Sequence, residues 1–120
     1  MRVLVCGDRH WNDAMKIFDV LTGLKDQYGR FTVVQGGANG ADALAGQVAL
    51  TLRLGCEVYP ADWKKYGRRA GPIRNRQMLD TRPDLVLAFH DDLEHSRGTK
   101  DCVSEATRRG IRVRIITHRS

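Results

Sequence analysis

The chain has 120 residues, of which 42% are hydrophobic and 28% are charged, and its formal net charge is +6. This length suits one domain over residues 1–120, and this composition excludes a disordered chain. No apolar run approaches the roughly 20 residues of a membrane span, and the N-terminus has no signal-peptide pattern, so we expect a cytoplasmic protein without membrane contact. Cys6, Cys56 and Cys102 are odd in number and lack CxxC spacing, which argues against a disulfide framework or a zinc site.

Strand and helix patterns alternate through the first half of the chain. Residues 2–6 are mostly apolar, as in a central parallel strand. The predicted elements that follow are a helix from Asn12 or Asp13 to about Gln27, a strand from Phe31 to Gln35, a helix to about Leu54 and a strand from Cys56 to Tyr59. Gly55 is expected to end the second helix in the C′ position, which favours glycine.

The second half continues this alternation after a gap. Residues 60–72 have no clear period and are predicted to form a long loop, a kind of segment that is often functional. The predicted elements beyond it are a short helix from about Ile73 to Asp80, a strand from Asp84 to Phe89, a polar loop from His90 to Gly98, a helix from Thr99 to Gly110 and a strand from Ile111 to Ile116. The order predicts an α/β fold, a Rossmann-like three-layer sandwich with a mainly parallel sheet of about five strands.

The segment Gly36–Asp42 carries three glycines within five positions, between a predicted strand and a predicted helix. Glycine permits positive φ and lets a ligand lie against the backbone. The first turn of a helix has unpaired N–H groups and the positive end of the helix dipole, so this segment is typical of a phosphate site. A tight turn without a ligand is an equal alternative.

Three polar loops are predicted at one edge of the sheet, because Gly7–Arg9, Gly36–Asp42 and His90–Thr99 each follow a strand. Ligands of parallel sheets bind beyond the carboxyl ends of the strands, where the strand order reverses. The three loops are therefore the predicted ligand site, although every loop that follows a strand is polar.

Seven basic residues lie between Lys64 and Arg82, with Asp80 as the single acid. Such a stretch suits a polyanion such as nucleic acid, or else is a solvated surface. Trp63 and Tyr66 in this stretch are either base-stacking residues or a cover for the core or a subunit contact.

Four motifs along the chain resemble one family. They are Cys6-Gly7-Asp8-Arg9, Gly36-Gly37-Ala38-Asn39-Gly40-Ala41-Asp42, Gly71-Pro72-Ile73-Arg74-Asn75-Arg76 and Arg97-Gly98-Thr99. In this succession the chain resembles the SLOG superfamily and, within it, the YspA, cpYpsA-related branch of bacteria and their phages. The resemblance implies a Rossmann-like domain that binds a nucleotide or a nucleotide-derived ligand and assembles as a homo-oligomer. No cofactor is expected to be required, and Mg²⁺ is a possible one.

The resemblance also implies which residues contact the ligand. They are Gly7, Asp8, Arg9, Gly36, Gly37, Asn39, Gly40, Asp42, Arg74, Asn75, Arg76, Gly98 and Thr99. The glycines of the segment 36–40 would cradle phosphate, and the guanidinium groups of Arg74 and Arg76 would pair with its oxygens. Gly98 and Thr99 would form a second anion site. Asp42 would either hold a ribose hydroxyl or cap the turn itself.

The chain departs from the LOG phosphoribohydrolases of this superfamily, which cleave nucleoside monophosphates and carry a PGGxGTxxE pattern. The Pro-Gly-Gly part is missing, and Cys102 stands where the catalytic glutamate is expected. Cleavage of an N-glycosidic bond needs a carboxylate. The candidates are Glu105, one helical turn further on, and Asp8, Asp42 and Asp91. We therefore expect ligand binding without turnover, with a LOG-type hydrolase and a DprA-like single-stranded nucleic-acid-binding protein as alternatives.

The loop after the fourth predicted strand holds carboxylates and imidazoles. Carboxylate oxygens are the ligands that Mg²⁺ prefers, but a charged loop is more often solvated, so no metal is expected. The candidate Mg²⁺ ligands are His90, Asp91, Asp92, Glu94 and His95. Cys6 and Cys102 flank the predicted site, where we expect buried packing rather than a reactive thiol.

Overall fold

Five parallel strands form the central sheet of the computed structural model, which describes residues 1–120. The strands are β1 (Arg2–Gly7), β2 (Thr32–Gln35), β3 (Gly55–Val58), β4 (Leu85–Phe89) and β5 (Arg112–Ile116). Their order across the sheet is β3-β2-β1-β4-β5, and every neighbouring pair is parallel. The predicted α/β fold with a five-stranded parallel sheet is therefore confirmed.

Helices cover both faces of this sheet. They are α1 (Ala14–Tyr28), α2 (Ala41–Thr51), α3 (Trp63–Tyr66), α4 (Ala70–Asp80) and α5 (Gly98–Arg108). Along β1, Val3 and Val5 pack into one core with α1 and α2, while Leu4 and Cys6 pack into a second core with α4 and α5. This alternation is the period of two that a strand buried on both faces requires. The structure contains no helix with the length and apolar character needed to span a membrane.

The strand order reverses between β1 and β4. The chain moves outward from β1 through β2 to β3, and then returns to β4 on the other side of β1. Such a reversal leaves a crevice beyond the carboxyl ends of the two central strands. The loops after β1 and β4, residues 8–13 and 90–97, border this crevice.

Helix α1 forms as its sequence predicts. The side chain of Asp13 caps it by accepting a hydrogen bond from the Lys16 amide at 3.0 Å. Ile17, Leu21 and Leu24 share its buried face, in agreement with a helical period of 3.6 residues. A local cap and one apolar stripe were sufficient to place this helix.

Helix α2 ends earlier than predicted. Thr51 is its last residue, and Arg53 then adopts a left-handed φ of 57°. Gly55 does not terminate the helix, because it pairs with Thr32 as the first residue of β3. The prediction was wrong because Gly55 pairs with β2 as part of the sheet. Arg53 instead adopts the left-handed conformation that glycine usually adopts after a helix.

Residues 60–72 do not form the predicted long loop. Asp62 caps α3 through its side chain, and a 3-10 turn over Gly67–Arg69 leads directly into α4. Helix α4 begins at Ala70, so Pro72 lies in the first turn, where its missing N–H leaves no helical hydrogen bond unmade. A four-residue helix is too short to show a hydrophobic period, which is why the pattern missed it.

Candidate functional site

The loops after β1 and β2 are in direct contact at the carboxyl edge of the sheet. The Ala41 amide at the start of α2 donates a hydrogen bond to the carbonyl oxygen of Asp8 at 3.1 Å. Gly40 has a φ of 73°, and a Cβ at this position would overlap the carbonyl groups of Asp8 and Arg9. Gly40 therefore serves the contact between the two loops, because only glycine permits so close an approach.

Two consecutive residues of α4 form hydrogen bonds with the loop before α2 and with the first residue of α5. Arg74 Nη1 donates to the carbonyl oxygen of Gly36 at 2.8 Å, and Asn75 Nδ2 donates to the carbonyl oxygen of Gly98 at 3.2 Å. Gly36 precedes α2, and Gly98 is the first residue of α5. The openings of α2 and α5 are thus both held to one segment of α4.

The turn before α2 satisfies several of its own amides. The amides of Gly36 and Ala38 donate to Asp42 Oδ2 at 3.1 and 3.2 Å, and the Gly37 amide donates to Gln35 Oε1 at 2.6 Å. An anion at this turn must therefore use other donors. The amides without a hydrogen-bond partner in the protein are those of Asn39, Gly40 and Asp42.

Asp42 is a buried carboxylate at the centre of this turn. Burial raises its pKa to about 6, although the hydrogen bonds from Ala38 and Gly36 and the charge of Arg74 act in the opposite direction. Of the two roles considered for Asp42, the structure shows the cap of the turn, which Oδ2 makes. Its second oxygen, Oδ1, makes no hydrogen bond within the protein.

The guanidinium group of Arg74 lies against the backbone of the glycine turn. A Cβ at Gly36 would overlap this guanidinium group and would also come within 2.9 Å of Asp42 Oδ2. Arg74 Nε donates to Asn75 Oδ1 at 3.1 Å, while Nη2 makes no hydrogen bond. Gly36 therefore makes room for an arginine that retains one free donor group.

Asn75 and Arg76 lie at the contact between α4 and α5 rather than at the glycine turn. Asn75 is buried, and its Nδ2 also donates to Asp101 Oδ2 at 3.0 Å. Arg76 Nη1 donates to the same Asp101 oxygen at 3.2 Å, and Nη2 lies 3.6 Å from Glu105 Oε2. Since Arg74 and Arg76 are two positions apart in a helix, their side chains point in different directions. The structure does not bring the two arginines together on one anion.

The opening of α5 is partly capped by its own loop. The Thr99 amide donates to Ser96 Oγ at 3.2 Å, and the Thr99 side chain is buried. The amides of Gly98 and Lys100 have no hydrogen-bond partner in the protein. This second predicted anion site therefore retains two backbone donors at the edge of the crevice.

A family model matches the first half of the chain. The model described as YAcAr, the YspA, cpYpsA-related SLOG family, matches residues 1–66, which include β1, the glycine turn, α2 and α3. The chain belongs to this SLOG family. This SLOG chain is also 39% identical over 119 residues to the Gene 61 protein of Mycobacterium phage D29, in an alignment that covers 93% of each chain.

The fold has a counterpart among solved structures. DNA processing protein A (DprA) from Streptococcus pneumoniae superposes with a TM-score of 0.74 at 18% sequence identity. The match covers 95% of this SLOG chain and 49% of the DprA chain, so the chain spans about half the length of that protein. At this identity the likeness shows the Rossmann-like fold.

The candidate catalytic carboxylates of the SLOG chain are each engaged in local structure. Asp8 Oδ1 accepts a hydrogen bond at 2.9 Å from the amide two residues further on, and Asp42 holds the glycine turn. Glu105 accepts from Arg108 Nε and Arg109 Nε at 3.0 and 3.1 Å, and these partners lower its pKa to about 2. Glu105 therefore belongs to the contact between α4 and α5.

The candidate metal ligands pair with other side chains of the loop and of the last residues. Asp91 Oδ2 lies 2.5 Å from His118 Nδ1, Asp92 Oδ1 lies 2.8 Å from His95 Nδ1, and His90 Nδ1 accepts from the Asp92 amide at 2.9 Å. Hydrogen bonds from the His118 amide and imidazole lower the pKa of Asp91, and the hydrogen bond with the His95 imidazole lowers the pKa of Asp92. No three of the histidines, cysteines and acids form a cluster that could hold a metal ion.

Cys6 and Cys102 are buried, free thiols beneath the site. Contact with the Cys102 thiol, together with burial, raises the pKa of the Cys6 thiol well above its usual value. The thiolate is the reactive form of cysteine, so this environment suppresses reactivity.

Sequence reasoning missed three residues that shape the site. The side chain of Gln35 accepts a hydrogen bond from the Gly37 amide, and its only sequence signal is a polar residue at the end of an apolar strand. Ser96 occupies a capping position three residues before Thr99, which is a recognisable helix-start pattern. His118 stacks on the buried Trp11 with ring centroids 4.2 Å apart, and no local pattern signals a contact over this sequence distance.

Proposed function

We propose that the chain binds a nucleotide or a nucleotide-derived ligand at the carboxyl edge of the sheet and does not turn it over. The observation that carries this proposal is Arg74, whose guanidinium group lies against the glycine turn and keeps Nη2 free. A planar guanidinium group beside unpaired amides is a well-suited phosphate site. Membership of a SLOG family supports a nucleotide-related function.

The donors available to a phosphate are few and defined. They are Arg74 Nη2 and the amides of Asn39, Gly40 and Asp42, at the positive end of the α2 dipole. The Asp42 carboxylate uses none of these three amides, because its Oδ2 accepts from the amides of Gly36 and Ala38. This donor set recognises one phosphate group, and it would be the anchor of a larger ligand.

Two observations favour binding without turnover. Cys102 is a buried thiol at the position of the LOG catalytic glutamate. Glu105, the next carboxylate along α5, already accepts hydrogen bonds from Arg108 and Arg109. A carboxylate bound by two arginines is a poor group for activating water, because its basicity is depressed.

Calorimetry with nucleoside mono-, di- and triphosphates tests the proposal. We expect micromolar binding to the wild-type chain and at least about a tenfold loss in Arg74→Ala, because the anchoring charge-assisted hydrogen bond is removed. Arg74→Lys retains the charge and is expected to recover part of the affinity.

Arg114→Ala is the matched control, because Arg114 is an exposed arginine on β5. This edge strand lies on the other side of β1 from β2, the strand that leads into the glycine turn. Failure of all these nucleotides to bind would contradict the proposal, as would undiminished binding by a folded Arg74→Ala variant. Release of free base, measured by chromatography after incubation with nucleoside monophosphates, would favour the hydrolase alternative instead.

A second candidate function is single-stranded nucleic-acid binding by the segment 62–69. Trp63 and Tyr66 are 59% and 37% exposed in this segment. Its exposed cations, none of which makes an ion pair, are Lys64, Lys65, Arg68 and Arg69. Unpaired cations interleaved with exposed aromatic rings are typical of surfaces that follow a single strand.

Fluorescence anisotropy with a labelled single-stranded oligonucleotide tests this second function. If the four cations contact phosphates, the logarithm of affinity should fall with the logarithm of salt concentration with a slope of about −3. The double variant Lys64→Ala/Lys65→Ala should reduce this slope, while Arg112→Ala/Arg114→Ala on β5 should not. A shift that is absent, or that does not respond to salt, would remove the second function.

A further inference from the structure

Arg74 also lines a groove of about 160 Å³. It lies between α4 and the segment that leads into α3. Its lining residues are Pro60, Asp62, Lys65, Tyr66, Ala70, Ile73, Arg74 and Gln77. Arg74 is therefore shared between this groove and the glycine turn, so a ligand held at the turn has the groove as its neighbour.

The groove is lined by surfaces of two kinds. Most of its accessible surface is polar, with a small apolar part at Pro60 and Ile73, and Tyr66 contributes an aromatic ring with the Lys65 ammonium 5.1 Å from its centroid. The polar groups at its rim retain atoms without a hydrogen-bond partner. Asp62 uses only Oδ1, which accepts from the Lys65 amide at 3.1 Å, and Gln77 makes no side-chain hydrogen bond.

The volume of the groove restricts what it can hold. Pockets for whole small molecules are commonly about 300–1000 Å³, so this groove accommodates one part of a ligand. A phosphate alone would leave the exposed ring of Tyr66 unused. A planar heterocycle fits better, since it stacks on an aromatic ring and has polar atoms at its edge.

We propose that this groove is a nucleobase subsite. Tyr66 provides the aromatic surface, Asp62 and Gln77 face the polar edge of the base, and Arg74 marks the junction with the phosphate at the glycine turn. The inference rests on the proposed nucleotide-binding function and adds to it the residues that select the base. It also assigns the segment 60–66 a role in the ligand site, in addition to any role at the surface.

Calorimetry that compares ribose 5-phosphate with AMP, GMP, CMP and UMP tests the subsite. At least one nucleotide should bind about fivefold or more tightly than ribose 5-phosphate, because stacking adds to the shared phosphate contacts. Tyr66→Ala should abolish this advantage and leave the affinity for ribose 5-phosphate unchanged. Gln77→Ala should alter the ranking among the four nucleotides. Tyr28→Ala, an exposed tyrosine at the end of α1, is the matched control and should change nothing.

The outcomes separate the subsite from the function on which it rests. Equal, Arg74-dependent binding of ribose 5-phosphate and all four nucleotides would overturn the subsite and keep the phosphate site. An equal loss of both kinds of ligand in Tyr66→Ala would also overturn it, since Tyr66 would then only support the fold. Binding of none of these probes would overturn the phosphate site and the subsite together.

Discussion

Asp42 and Glu105 are two buried carboxylates with opposite electrostatic environments. Their side chains are similarly enclosed, with residue exposures of 6% and 7%. Burial dominates at Asp42 and raises its pKa to about 6, while Arg108 and Arg109 dominate at Glu105 and lower its pKa to about 2. Partners, rather than burial alone, therefore decide whether an enclosed acid favours its charged form.

The difference separates a ligand site from a structural contact. At Asp42 the compensating groups are backbone amides and a more distant arginine, and the site retains free donors. At Glu105 the carboxylate pairs with Arg108 and Arg109 at the end of α5 and with Arg76 of α4, so it holds the two helices together. We expect changes at Glu105 to affect stability, and changes around Asp42 to affect pH response and ligand binding.

The largest expected effect is the loss of stability in Glu105→Gln, because Arg108 and Arg109 lose their shared carboxylate. In the wild type, the stabilisation by Glu105 is full above about pH 4.5 and is lost as the pH falls towards 2, since its folded pKa is depressed. The variant should have a lower Tm at pH 7 and lack this acid-dependent loss. Thermal unfolding followed by circular dichroism measures both.

The matched control for this change is Glu94→Gln, which alters an exposed acid that pairs with Lys100 at 3.4 Å. It should leave the Tm nearly unchanged, as exposed pairs contribute little. A Glu105→Gln variant as stable as Glu94→Gln would show that the arginine contacts are not maintained in solution.

The next effect is the pH response controlled by Asp42. Its pKa is raised on folding, so its ionisation opposes folding, and the free energy of unfolding falls by up to about 3 kcal/mol as the pH rises from about 4 through 6. Asp42→Asn retains an oxygen acceptor for the turn and cannot ionise. Urea unfolding between pH 4 and 7 should therefore show a flatter profile for the variant, and parallel profiles would be evidence against the raised pKa.

A smaller effect is expected from Gly36→Ala. The new methyl group would displace the Arg74 guanidinium group, which is the end of a flexible side chain, so the expected loss is about 1 kcal/mol for the hydrogen bond to the Gly36 carbonyl. Gly23→Ala in α1 is the control, because nothing lies within 4 Å of its added methyl group. That control should stabilise the helix by about 0.5–1 kcal/mol. A harmless Gly36→Ala variant would mean that Arg74 does not lie against the turn.

The smallest effect is expected from Arg108→Ala. Its side chain is 71% exposed, and Arg109 remains as a partner of Glu105. We expect a shift in Tm well below that of Glu105→Gln in the same thermal scan. An equal loss would show that Arg108 alone accounts for the stabilisation of Glu105.

The sequence predicted those parts of the fold that depend on local patterns. Helix α1 has a cap and a single apolar stripe, and the strand ends place the glycine turn at the expected edge of the sheet. The segment 60–72 was missed because α3 is only four residues long. The end of α2 was predicted incorrectly because Gly55 pairs with Thr32 in the sheet instead of ending the helix.

The site was predictable as a set of loops but not as a set of contacts. The motif around Arg74 and Arg76 indicated two phosphate-binding arginines, yet a helix turns by about 200° between positions two apart. Arg74 contacts the glycine turn and Arg76 contacts the carboxylates of α5. This difference depends on how α4 packs against α5, which cannot be deduced from the sequence pattern. The same is true of His118, which reaches Asp91 and Trp11 from the end of the chain.

The pair of tethers from Arg74 and Asn75 has a consequence for how this chain tolerates changes in length. One added or deleted residue early in α4 would rotate both side chains by about 100° about the helix axis and remove both loops from their reach at once. The 3-10 turn over Gly67–Arg69, just upstream, is exposed and free of such ties. We therefore expect the fold to tolerate insertions and deletions in that turn but not in the first turns of α4.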